Sequence, residues 1–144
     1  MAIVFNVEDV DLPSIRFFNM KRILKEAIIK EHLRLGEINY IFCSDKFLLE
    51  INRQYLNHDY YTDVISFDYS EKKIIAGDIF ISTECVFSNS QTFSQSYEEE
   101  LIRVISHGLL HLLKYNDKEQ DEVMIMREKE AELICRYYES NGQN

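Results

Sequence analysis

The run from Leu101 to Leu113 constrains this chain more than any other segment, because once wound into a helix it is apolar on nearly every side. Ile102, Ile105, Leu109 and Leu112 fall on one side and Leu101, Val104 and Gly108 on another. A helix without a polar face cannot lie on a surface, so the pattern predicts a buried central helix from about Tyr97 to Leu113. Two of the four histidines, His107 and His111, sit inside it. Left without partners there, each imidazole would carry a desolvation cost of roughly 1 to 3 kcal/mol. Four residues make about one helical turn, so both rings project from one face and can converge on a single cation.

A third ligand has to come from beyond the helix. Asp117 follows His107 by ten residues, which is the first-to-third ligand spacing of the H-E-x-x-H-x-x-G-x-x-H metal sites. A metal held by His107, His111 and Asp117 would keep one position open for water and lower that water's pKa. Gly108 stands where a metalloprotease carries its catalytic Glu, so the motif contains no built-in general base, which argues against peptidase chemistry.

The rest of the chain must wrap this helix. At 144 residues, with 46% hydrophobic and 28% charged residues, one domain spanning residues 1–144 is expected and disorder is excluded. No apolar run approaches the ~20 residues of a membrane helix, and the start lacks signal-peptide character, so a cytoplasmic protein is expected. Cys43, Cys85 and Cys135 are an odd number, far apart in apolar segments, and read as reduced core thiols. The net charge of −9 excludes a general basic nucleic-acid surface; an RNA or DNA partner would need a local basic groove.

Ile3, Phe5 and Val7 alternate as a first strand, followed by a helix through Phe17, Met20, Leu24, Ala27 and Ile28 that stops at Gly36. Ile38 to Phe42 reads as a second strand. A helix opening near Ser44 then turns Phe47, Leu48, Ile51 and Tyr55 to one face, and this βαβ arrangement implies a parallel pair. Asp63 to Tyr69 and Ile74 to Ser82 suggest an antiparallel hairpin, and Ser88 to Ser96 reads as irregular. A last helix from about Asp121 to Tyr138 turns Val123, Met126, Leu133, Ile134 and Tyr137 inward, with the charge run Arg127 to Glu130 on a solvated face. The expected fold is α+β: a mixed sheet of about four strands, packed with helices around the metal-bearing one.

Three blocks now identify a resemblance. His107-Gly108-Leu109-Leu110-His111-Leu112-Leu113, with Tyr115 after it, resembles the H-G-x-L-H-L-x-G-Y-D-H signature of the YbeY-type rRNA maturation endoribonucleases. Thr62-Asp63-Val64-Ile65-Ser66-Phe67 is similar to that family's T-D-V-L-S-F strand, and Gly77-Asp78-Ile79-Phe80-Ile81-Ser82 to its G-D-I-x-I-S strand. The resemblance implies a zincin-like fold and a zinc-dependent hydrolase, one ion per chain, that cuts single-stranded RNA. It further implies work on small-subunit rRNA maturation and ribosome quality control, with the ribosome or its assembly factors as partners and no DNA or membrane partner. His107 and His111 take the places of the first two ligands, and Asp117 that of the third histidine.

The departures from the family pattern carry their own expectations. A carboxylate in the third place leaves a divalent site at net charge +1 rather than +2, which should weaken polarisation of its water and attraction to phosphate. Lys114 replaces the glycine at the helix exit; either Asn116 takes the left-handed conformation instead, or Asp117 reaches the metal by another path. Leu56 stands where the family commonly has a catalytic arginine, and Arg53, on the same helix face, is the residue expected to supply that cation. Glu100 and Asp78 are candidate bases or structural anchors, Arg103 is expected to pair with an acid, and His32 and His58 read as structural or surface residues. The donor set would also accept nickel, manganese or iron. Ligand spacing leaves two alternatives open: a metal-dependent hydrolase of another substrate such as a peptide, and a non-catalytic, metal-stabilised ribosome-assembly factor.

Overall fold

A computed structural model describes residues 2–139. Its elements run β1 (Ala2–Val7), α1 (Phe17–Lys30), β2 (Arg34–Cys43), α2 (Asp45–Leu56), β3 (Val64–Asp68), β4 (Ile74–Ser82), α3 (Thr83–Thr92), α4 (Tyr97–Leu112) and α5 (Gln120–Glu139). The four strands form one sheet in the order β1-β2-β4-β3. β1 and β4 flank β2 in parallel, while β3 returns antiparallel on β4 with Val64 opposite Ile81 and Asp68 opposite Gly77. The α+β class and the mixed four-stranded sheet are therefore as expected. Among the described residues no helix is long and apolar enough to cross a membrane.

α4 is the buried element the sequence requires: Leu101, Ile102, Val104, Ile105, Leu109 and Leu112 are all fully enclosed. They pack with Ile38, Tyr40, Phe42, Ile79 and Ile81 of the sheet in the main core. The fully buried Tyr40 donates its hydroxyl to the Ile105 carbonyl at 2.8 Å, tying α4 to β2. Gly108 makes the contact with β4 close: a Cβ there would meet Ile79 Cγ2 at 2.7 Å.

Five local readings need correction. α1 ends well before Gly36, because His32 takes the left-handed conformation at φ 64° and the Leu33 N–H returns to the Ile28 carbonyl. Gly36 instead lies inside β2, at a register shift against β4 between Leu35 and Ile38. Strand glycine commonly marks such irregularities. The segment after β4 is helical: the Ser82 hydroxyl caps α3 by accepting from the Cys85 N–H at 3.1 Å. α3 has almost no hydrophobic period to betray it, since only Val86 and Ser90 of it are buried. On α5, Val123 is exposed rather than inward, and Glu130 is buried rather than solvated. All three cysteines are free, but Cys135 is exposed and not a core thiol, while burial pushes the Cys43 thiol up to about 12.

Candidate metal centre

α4 is fixed at both ends. At the start, the Ser96 hydroxyl accepts from the Glu99 N–H at 3.0 Å, and three glutamates in the first turn suit the positive end of the helix dipole. At the end, the Lys114 N–H donates to the His111 carbonyl and the Tyr115 N–H to the Leu110 carbonyl, each at 3.0 Å, the paired bonds of a Schellman motif. Lys114 itself adopts φ 75°, so the exit runs through lysine in the glycine's place and not through Asn116. Its ammonium donates to Asp68 on β3. A left-handed lysine costs roughly 1 to 2 kcal/mol, which this exposed contact offsets only in part.

The turn brings Asp117 back to the helix. His107 Nε2 lies 2.9 Å from His111 Nε2, and the Asp117 Oδ2 atom lies 3.3 Å from the first and 3.7 Å from the second. Ligands at ~2.0 to 2.2 Å in tetrahedral geometry stand about 3.3 to 3.6 Å apart, so the two Asp117 separations are close to what one zinc-sized ion needs, and the two imidazole nitrogens, now at hydrogen-bond distance, would open by about half an ångström to share it. Burial of the ring, then the neighbouring His107, holds the His111 pKa below its ordinary value, which favours a neutral imidazole with a lone pair to give.

Behind His107 lies a group that the sequence reading missed. The Glu130 Oε2 atom is 2.6 Å from His107 Nδ1. Arg127 donates to Glu130 at 3.1 Å and Arg103 at 3.4 Å. Arg103 is paired with acids, as expected, and its fork closes on Glu100 at 2.6 and 3.0 Å. It also lies 3.7 Å from Asp63. Burial pushes the Glu130 carboxyl up, but the His107 hydrogen bond and the Arg103 charge outweigh it and leave the pKa below the usual range. Six acids in a charge-rich helix gave no signal to single out Glu130; only its placement on the inner face of α5 does.

The three candidate ligands open onto a cleft of about 670 Å³ between α4, β3 and the α2–β3 loop, lined also by Leu56, His58, Tyr60, Asp63, Ser66 and Lys118. His58 and Tyr60 stack with centroids 5.1 Å apart, and the Tyr60 hydroxyl lies 2.9 Å from His58 Nδ1. Buried Asn52 holds this loop by donating to the Tyr60 carbonyl at 2.8 Å. His58 is thus on the surface, as read, but on the wall of the cleft. Arg53 is not among the lining residues; its side chain is 53% exposed and donates to Asp59. The structure therefore brings His107, His111 and Asp117 together and leaves Arg53 outside, with Leu56 facing the cleft. Glu100 sits in the Arg103 network and Asp78 accepts from Asn39 at 3.1 Å, so neither stands in the cleft. A glutamate in place of Gly108 would be driven into the sheet against Ile79 and away from the metal ligands.

Comparison with known proteins agrees. A family model described as Endoribonuclease YbeY matches residues 8–138. The chain belongs to the YbeY endoribonuclease family. It is 49% identical to the Endoribonuclease YbeY of Parabacteroides distasonis over 135 residues, covering 94% of this chain and 95% of that protein. With the Endoribonuclease YbeY of Flavobacterium psychrophilum identity is 54% over 115 residues, 80% of this chain and 82% of that one. The solution structure of TM1509 from Thermotoga maritima superposes with a TM-score of 0.68 at 27% identity, covering 97% of this chain and 94% of that one. The family makes the chain an enzyme of the hydrolase class, an endoribonuclease whose substrate is RNA.

Proposed function

We propose that the chain is a zinc-dependent endoribonuclease of single-stranded RNA, a single cytoplasmic hydrolase domain that acts in small-subunit rRNA maturation and ribosome quality control alongside the ribosome or its assembly factors. The observation that carries this reading is the convergence of His107, His111 and Asp117 at the floor of an open cleft, in a chain of endoribonuclease family. A bound divalent ion would supply a Lewis acid for the phosphodiester and an activated water.

The residues of the chain supply the rest. His107 and His111 offer neutral nitrogens from one rigid helix face, and Asp117 closes the triangle with a single negative charge. The cleft holds one lining cation, Lys118, against the acids Asp63, Asp68 and Asp117, so phosphate attraction contributes little to its grip. The exposed, mutually stacked pair His58 and Tyr60 on its wall suits unpaired bases, which can extend such a stack whatever their sequence. Such a wall selects single strands, whose bases are free to splay. Arg53, at the outer end of α2, is assigned to a backbone phosphate of the strand beyond the cleft, once it leaves Asp59.

Zinc content and cleavage of a single-stranded RNA, measured on the wild type and on His111→Ala, test the reading. The wild type should hold one zinc and cut RNA, and the variant should lose both. RNA cleavage that survives loss of the metal would overturn it, as would metal-dependent cleavage of peptides but not of RNA.

A further inference from the structure

Glu130 is the least exposed acid in the molecule's described part, at 1%, and it is in contact with a proposed metal ligand. An ionised carboxylate only accepts hydrogen bonds, so the proton in the 2.6 Å contact lies on His107 Nδ1. A neutral imidazole carries one N–H, and placing it on Nδ1 leaves the lone pair on Nε2. Nε2 is the atom that faces His111 and Asp117. The 2.9 Å contact between His107 Nε2 and His111 Nε2 leaves that choice open, because either nitrogen can be its donor; the carboxylate settles it.

We propose that Glu130 is a positioning residue for the metal: its carboxylate, clamped by Arg103 and Arg127, fixes His107 in the tautomer and orientation that turn Nε2 toward the ion. Arg103 extends the clamp to Asp63 at 3.7 Å, and so joins α5, the metal-bearing helix and the cleft wall through one guanidinium. Carboxylates that hold metal-ligating histidines in this way commonly contribute ~10- to 100-fold to metal affinity. The inference rests on the reading of His107, His111 and Asp117 as ligands.

Glu130→Gln keeps the shape of the side chain and tests the idea. Arg103 and Arg127 can donate only to its amide oxygen, so the NH₂ group turns to His107, accepts no proton and donates to Nδ1. The tautomer reverses and the Nε2 lone pair is lost. Two readouts follow: ¹⁵N-resolved NMR of the imidazole rings, and release of zinc from the loaded protein to a competing chelator. Wild type should show Nδ1–H at His107, and Glu130→Gln should show Nε2–H and hold zinc about 10- to 100-fold less tightly. A variant with unchanged tautomer and zinc affinity, whatever its melting temperature, makes Glu130 a structural partner of Arg103 and overturns the proposal. Should the variant not fold, the wild-type spectrum decides alone, since Nε2–H at His107 contradicts it. Failure of the metal reading itself is seen separately, as a wild type that holds no zinc.

Discussion

Two ion-pair regions flank the cleft and are built in opposite ways. On the α5 side, the Arg103 side chain is 18% exposed and lies among the side chains of Glu100 and Glu130, at 3% and 2%. On the α2 side, Arg53 and Asp59 are 53% and 75% exposed. The same charges in the two settings do different work. Buried pairs are costly to break, because removing one partner strands the other's charge, and so they hold geometry. Exposed pairs are worth little and exchange readily with solvent or with a ligand. The buried pairs behind His107 therefore hold geometry, and the exposed pair at the end of α2 is adjustable.

Three substitutions sharpen this contrast. Arg103→Ala removes the cation from two buried carboxylates and should cost about 3 to 5 kcal/mol in denaturant unfolding. A loss below ~1 kcal/mol would mean that the α5 side is no more structural than a surface pair. Lys114→Gly should stabilise the chain by about 0.5 kcal/mol, the relief of left-handed strain less the exposed Asp68 contact and the flexibility of glycine when unfolded. A lower unfolding midpoint would show that the lysine contact outweighs its backbone cost. Arg53→Ala should leave stability within ~0.5 kcal/mol. If Arg53 meets one phosphate, the slope of log affinity against log salt for a single strand should fall by about 0.7; an unchanged slope removes Arg53 from the RNA path.

The sequence made much of this architecture legible, and its failures share a cause. α4 was readable because apolar residues cover most of its sides, so that His107 and His111, one turn apart on one face, stand out as a pair. The strands were readable from alternation, and the mixed sheet from one crossover and one hairpin. α3 was not, since its stability comes from the Ser82 cap and from packing rather than from an apolar stripe. The end of α1 was misplaced because a glycine drew attention from His32, which takes the left-handed turn without being glycine. Glu130 was hidden for a related reason: in a run of charges, only the tertiary partner tells the buried acid from the solvated ones. Arg53 illustrates the reverse, a residue whose helix face matched a missing arginine but whose side chain the structure leaves outside the cleft.

The central claim is that three side chains from α4 and the turn after it grip one ion. Anomalous scattering at the zinc edge from crystals of the zinc-loaded protein tests it most directly. The account predicts a single peak about 2.0 to 2.2 Å from His107 Nε2, His111 Nε2 and an Asp117 carboxylate oxygen. A peak elsewhere, or one bound by the imidazoles with Asp117 turned into solvent, would contradict it.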